Sequence, residues 1–304
     1  MCAASSSSRM ARALRWTGDR CGSRVVTTGC QRAGGSVASA AELVTYGRQL
    51  AASAAAQAGS VFTNLSAADD LIKRSPEAFL FGVLFTQGIP AERAWAGPYL
   101  LAERLGTLDP ARLADNAEAI AAAVASPPAL HRFVRTVPRW IAAAAGRLET
   151  EYGGSAAAIW PDGSHILEVT ERLLAFDGIG EKKAAMAVQI LVRHFGVRLV
   201  GREFGGVAYD VHVRRVFLRS GLTDSDTRDA IAQAARSACP EDPGVVDLAA
   251  WLIGRQTCRP RAPRCDDCRL GGVCPRLVDR QVEGVGVRRG YSTERNRSPE
   301  RSFG

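Results

Sequence analysis

Apolar residues recur at helical spacing along most of this chain. Ser75-Pro-Glu has the form of a helix start, and Phe79, Leu80, Val83 and Leu84 follow it on an apolar helix. The same periodicity predicts further helices over about 90–105, 109–125, 129–151, 164–176, 181–195, 211–220, 224–238 and 244–256. Strand-like sequence is confined to 197–209, where Val197-Arg-Leu-Val200 can begin a short hairpin in a Gly-rich stretch before Tyr209. No repeat stands out at solenoid spacing. The predicted class is all-α.

The two ends break this pattern. Residues 1–40 are rich in Ser, Arg, Ala and Gly and lack sustained periodicity. Arg-rich and acid-poor, they resemble a transit peptide. The missing amphipathic stripe favours the other reading, a disordered extension or one read from a start codon placed too early. Residues 279–304 are polar and are expected to form a disordered tail. Between the tails, 46% hydrophobic and 23% charged residues suit a globular chain and exclude wholesale disorder. No apolar run approaches the ~18 residues that would cross a bilayer, so no membrane partner is expected. With 304 residues, there is room for about two domains.

Charge sharpens the picture by its position. The formal net charge of +8 comes from the ends, with six Arg against Asp19 in 1–40 and seven Arg against four acids in 276–304. The centre is neutral but polarised: 182–219 holds eight Lys and Arg against Glu203 and Asp210. Such a segment is the electrostatic footprint of a polyanion, or else a solvated basic face. The basic residues are 36 Arg and three Lys, at 73, 182 and 183. Lysine, unlike arginine, can lose its proton and act as a nucleophile. Lys182 and Lys183 are therefore candidate chemistry, or else two surface lysines on a helix.

Four of the eight cysteines, Cys258, Cys265, Cys268 and Cys274, form C-x6-C-x2-C-x5-C. Four thiolates within so short a segment can converge on zinc or on a four-iron cubane. A single short knuckle and a long first gap lean toward the iron–sulfur centre. A disulfide framework is not expected in a chain of this size without a secretory signal. The first gap, Arg259-Pro-Arg-Ala-Pro-Arg264, sets three arginines on a proline-held loop shaped to meet phosphates.

Leu173-Leu-Ala-Phe-Asp-Gly-Ile-Gly-Glu-Lys-Lys-Ala-Ala185 reads as helix, Gly-x-Gly turn, helix. Its second helix would offer unpaired N–H groups and a positive dipole end to an anion. Tyr209-Asp-Val-His-Val-Arg-Arg-Val216 then places Asp210 just before an apolar-periodic helix. There it can be an N-cap, a catalytic carboxylate, or both. His212 and Trp251, taken alone, read as structural.

Taken in this order, hairpin, Asp-x-His and cysteine box resemble the endonuclease III branch of the helix–hairpin–helix DNA glycosylases, over roughly Ser75 to Cys274. The resemblance implies a two-lobed helical fold. A helical barrel would span 78–203, and the second lobe, built from 41–77 and 204–278, would hold a [4Fe-4S] cluster on Cys258, Cys265, Cys268 and Cys274. It implies excision of a damaged base flipped from duplex DNA, followed by AP lyase cleavage. Lys182 matches the family's Schiff-base lysine, Asp210 its essential carboxylate, and Gln87 the glutamine that fills the gap left by the flipped base. Gly178, Gly180, Lys183, His212, Arg259, Arg261 and Arg264 are expected to join Gln87 on the DNA. The resemblance also implies a monomer in the cytoplasm, associated with the nucleoid. The interval from Lys182 to Asp210 is about ten residues longer than usual in the family. Val211 stands where a threonine is usual, and Phe176-Asp177 where Leu-Pro is usual. The rival readings are a monofunctional glycosylase for mismatched, alkylated or deaminated bases, and a non-catalytic iron–sulfur DNA-binding protein.

Overall fold

Helix starts in this protein follow its small polar residues. In the computed structural model, which describes residues 27–56 and 62–279, Ser75 caps α3 (Pro76–Phe85) by accepting from the Ala78 N–H at 3.0 Å. Asp109 caps α5 (Pro110–Leu113), and Thr227 caps α11 (Arg228–Ala238). The remaining helices are α1 (Thr27–Ala56), α2 (Ser66–Arg74), α4 (Ala91–Leu105), α6 (Ala117–Ala125), α7 (Thr136–Glu151), α8 (Ile166–Leu174), α9 (Glu181–Arg193), α10 (Val211–Arg219) and α12 (Val246–Gln256). The described residues form no named strand, so the all-α expectation holds.

Two apolar cores divide them. The first gathers Phe79, Leu84, Trp95, Ile120, Ile141, Leu173 and Leu191 around α3. That helix is apolar on every side, as its central place requires. The second gathers Leu43 and Val44 of α1 with Val213, Phe217, Ile231, Val246, Ile253 and Leu270.

Several expectations need correction. Residues 27–40, expected outside the fold, belong to α1; Ser39 is fully buried and its hydroxyl donates to the Val273 O at 3.2 Å. Residues 36–40 are mostly small and give no large apolar stripe for periodicity to register. Residues 1–26, and the tail from 280 on, lie outside the described residues. Phe62 and Ile72 pack into the first core, so 62–77 sides with the first lobe rather than the second. The helix expected over 109–125 breaks at Ala114–Asn116, and the one expected from 129 starts at Thr136.

No hairpin forms at 197–209. Val200 instead makes one parallel bridge to His165, and a 3₁₀ turn follows at Arg202–Phe204. The Val200 N–H and C=O are taken by Ser164 and Ile166, at the start of α8, which leaves no partner strand for them to choose. The insert then ties the lobes together: Asp242 ion-pairs with Arg193 of α9 at 2.6 Å and with Arg202 of the insert.

Candidate active site and cysteine pocket

Between α8 and α9 the chain turns through Ala175-Phe-Asp-Gly-Ile-Gly180. Gly178 has φ +83°, and a Cβ there would stand 2.4 Å from Cδ2 of Trp140. Conformation and packing both demand glycine. Gly180 differs. It precedes α9 at φ −93°, with no atom within 4 Å of where its Cβ would be. No side chain caps the first N–H groups of α9, an arrangement open to an anion.

The adjacent lysines of α9 leave the helix about 100° apart and meet different surroundings. Lys182 keeps 57% of its side chain exposed, and its Nζ lies 2.5 Å from Oδ2 of Asp210, itself 6% exposed. The other oxygen of Asp210, Oδ1, accepts the His212 N–H at 2.7 Å and so caps α10. One carboxylate thus starts a helix and holds a lysine. A pair half in water adds little to stability. What it presents is an amine at the surface with a proton acceptor fixed behind it.

Lys183 corrects an expectation. Expected on DNA, it is buried; its Nζ donates to the Leu84 O at 3.0 Å and lies 5.1 Å from the centre of the Trp140 ring. Burial, helped by the neighbouring Lys182 charge, pushes its ammonium down to about 8. It presents nothing to a duplex.

The other side chains expected on DNA sit on other elements: past α3, on α10 and on the cysteine loop. Gln87 is exposed just past α3, and Arg259, Arg261 and Arg264 are exposed on the cysteine loop. Arg259 Nε and Arg264 Nη2 both donate to the Gln256 O, which shapes the loop. His212 stands with Nδ1 3.0 Å from Arg215 Nη2 and its ring edge-on to Trp251. Among the described residues, the His212 N–H alone of these meets the pair, on Asp210 Oδ1; the others neither hydrogen-bond nor ion-pair with the Lys182 and Asp210 side chains.

Two features were missed in the sequence. Tyr209 sits between the guanidiniums of Arg214 and Arg228, 4.3 and 5.4 Å from its ring centre. Arg228 also ion-pairs with Glu181, so the residue before Asp210 is linked to the residue before Lys182. Asp247, buried in the first turn of α12, accepts the Ala208 N–H at 2.6 Å. A lone acid after Val245-Val246, on a helix otherwise apolar there, was the available signal.

The four loop cysteines border one small pocket, which they share with Arg219, Gly271 and Val278. No three His, Cys, Asp or Glu side chains among the described residues are placed to hold a metal ion as they stand. Burial pushes the Cys258 and Cys274 thiols up. Arg219 Nη1 lies 4.0 Å from Cys258 Sγ, and the Arg276 N–H donates to Cys274 Sγ at 3.4 Å. Buried Arg215 donates to the Cys258 O at 2.6 Å and Arg219 to the Arg259 O at 2.7 Å. The helix that Asp210 caps therefore also carries the cysteine loop.

No protein-family model matches the chain. Its sequence is similar to endonuclease III of Thermotoga maritima, 29% identical over 113 residues, which is 37% of this chain and 48% of that protein. It is also similar to endonuclease III of Synechocystis sp., 31% identical over 34% of this chain and 44% of the relative. Endonuclease III-like protein 1 of Gallus gallus is 27% identical over 47% of this chain and 45% of its own length. The chain thus spans about half the length of the curated relatives it matches. Its fold matches an endonuclease III trapped as a covalent DNA intermediate with an estranged adenine. The TM-score is 0.51 at 20% identity, over 70% of this chain and 95% of that one. The chain is thus similar in sequence, over part of its length, to endonuclease III proteins, and it shares the helical fold of a solved one.

Proposed function

We propose that the chain is a base-excision DNA glycosylase with AP lyase activity, acting as a monomer on duplex DNA that contains a damaged base. The observation that carries this reading is the 2.5 Å approach of Lys182 Nζ to Asp210 Oδ2 beside the glycine hairpin. Support comes from endonuclease III relatives and from the trapped endonuclease III–DNA complex of similar fold.

Excision inside a duplex requires the base to be flipped out, at a cost of a few kcal/mol that is least for a damaged pair. The hairpin backbone at Gly178 and Gly180, with Arg259, Arg261 and Arg264, would hold the distorted phosphates, and Gln87 would occupy the vacated stack. Asp210 takes a proton from Lys182, and the free Nζ electron pair attacks C1′. The glycosidic bond breaks as the base leaves with its electron pair and is protonated by solvent. Asp210, ionised again as it passes its proton on, faces the positive charge that develops on the sugar. Nζ then loses a proton and its electron pair opens the C1′–O4′ bond, O4′ taking a proton from solvent. The Schiff base so formed acidifies C2′, and loss of that C2′ proton expels the 3′ phosphate.

The C-x6-C-x2-C-x5-C spacing and the shared pocket support a [4Fe-4S] cluster over a single ion. Tetrahedral zinc at about 2.3 Å would draw four sulfurs within roughly 4 Å of one another, whereas a cubane keeps them farther apart. Four thiols border one pocket here, with backbone N–H and guanidinium donors beside them. Cys258, Cys265, Cys268 and Cys274 would hold the cluster, whose contribution is to fix the arginine loop in shape. The cytoplasm, at the nucleoid, is the place this function implies.

The test is a panel of duplexes, each with one lesion, assayed for released base and for a covalent adduct under borohydride. Wild-type protein should release a base and be trapped, and Lys182→Gln should lose trapping. Asp210→Asn keeps an oxygen for the His212 N–H yet should slow excision at least about 100-fold. Release without trapping would convert the assignment to a monofunctional glycosylase. No release from any lesion would remove the enzymatic reading.

A further inference from the structure

Behind the Lys182–Asp210 pair stands a second carboxylate that the reaction above does not use. Asp247 lies in the first turn of α12, which packs on α10 and α1 in the second core. Its Oδ1 accepts the Ala208 N–H at 2.6 Å. The Asp210 N–H in turn donates to the Ala208 O at 2.7 Å, and Asp210 carries the His212 N–H and Lys182 on its two oxygens. A short series of contacts therefore runs from a rigid helix, through one peptide unit, to the reacting pair.

The segment that needs this anchor has no regular structure of its own. Gly205 and Gly206 lie just upstream, in the insert that lengthens the interval between Lys182 and Asp210. Two glycines give the backbone wide freedom, and a small error in where Asp210 arrives would part its carboxylate from the lysine. Gln189 holds the Gly206 O at 3.2 Å, and Asp247 holds the next fixed point, two residues before Asp210. Burying a carboxyl group without a partner is costly. Asp247 is buried, and burial, with the Asp210 charge adding to it, pushes its acid up to about 7 against the opposing pull of the Ala208 N–H, Arg193 and Lys182.

We propose that Asp247 is a positioning residue: its carboxylate fixes the Ala208–Asp210 turn and so delivers the Asp210 carboxylate to Lys182. This rests on the reading of that pair as the reacting groups, and the test separates the two.

The primary readout is the Lys182 amine itself, labelled by formaldehyde with a borohydride reductant and quantified by mass spectrometry. With only three lysines, Lys73 serves as the internal reference. In wild type the ion pair shields Lys182. In Asp247→Ala the turn loosens, and labelling should rise at least roughly threefold. Asp247→Asn still offers an oxygen to the Ala208 N–H and should label like wild type. Asp247→Leu, similar in size but without an acceptor, stands in should the alanine variant not fold. On a lesion duplex, Ala or Leu should lower the single-turnover rate of base release about tenfold or more, with DNA affinity within about twofold, and Asn should restore the rate. Unchanged Lys182 labelling in Ala and Leu would overturn the proposal, as would an asparagine variant no closer to wild type than they are. Altered labelling in Ala or Leu, with no base released even by wild type, would leave the positioning intact and sink the glycosylase reading.

Discussion

Replacing Lys183 with methionine should stabilise the protein at neutral pH. The side chain is 7% exposed, and burial pushes its ammonium from 10.5 down to about 8. A pKa difference of about 2.5, at about 1.4 kcal/mol each, amounts to roughly 3 kcal/mol of stability withheld wherever the lysine is charged in both states. Methionine keeps the length and the apolar stem and removes the charge. The change also strips the Leu84 O of its donor, at about 1–2 kcal/mol, and ends the contact with the Trp140 ring, at about 0.5 kcal/mol. The net gain is about 1 kcal/mol at pH 7, or about 2–4 °C in melting temperature.

The pH dependence is the sharper signature. Below pH 8 the native and unfolded chains both hold the Lys183 proton. Between pH 8 and 10.5 only the unfolded chain does, so wild-type stability gains from this group as pH rises through that window. Lys183→Met lacks the contribution, and its advantage should fall by roughly 3 kcal/mol and change sign by pH 10.5. Urea titrations of both proteins at pH 7, 8, 9 and 10.5 measure the difference directly. Parallel pH profiles for the two proteins would refute the argument, because no proton would then be displaced from Lys183 on folding. Borohydride trapping on lesion DNA should persist in this variant, since the side chain faces away from the sugar.

Two further outcomes follow from the same geometry. Gly178→Ala, with φ +83° and the Trp140 ring 2.4 Å from the new Cβ, should lose about 3 kcal/mol in denaturant titration, whereas Gly180→Ala should lose under about 1 and act mainly on DNA affinity. Protein purified without oxygen should be brown and hold about four irons by atomic absorption, and Cys258→Ser should lower that content; colourless protein with one zinc would overturn the cluster assignment.

Much of the site was legible because its chemistry is tied to spacing. The Gly-x-Gly turn put Lys182 at the start of a helix, and the polar residue before an apolar-periodic stretch put Asp210 at the start of another. Spacing could not say which of two adjacent lysines faces solvent, since that depends on how α9 is rotated against α3 and α7. Lys183 turns inward because the Leu84 carbonyl and the Trp140 ring, about 100 and 40 residues away in sequence, offer it a place. Asp247 was hidden for a similar reason: its partner is a backbone N–H, which carries no residue signature. The insert read as a hairpin from β-branched residues, yet the start of α8 captured Val200 first. In α1, residues 27–40 were passed over because their alanine, glycine and serine give no large apolar period.

The divided second lobe sets an order of assembly. The first core draws on one continuous stretch from Phe62 to Leu199, whereas α1 closes on residues made long after it. Glu42 waits for Arg269, 227 residues downstream, which at ~5–20 residues per second is roughly 10–45 s of translation. Until the residues from Val213 onward follow, Leu43 and Val44 lack their native cover, and the nascent chain offers these apolar side chains to chaperones or to neighbouring chains. The first lobe can meanwhile fold with Lys182 already in place on α9. Its partner carboxylate arrives only with the last third of the chain, so the pair is completed by docking of a late lobe onto an early one.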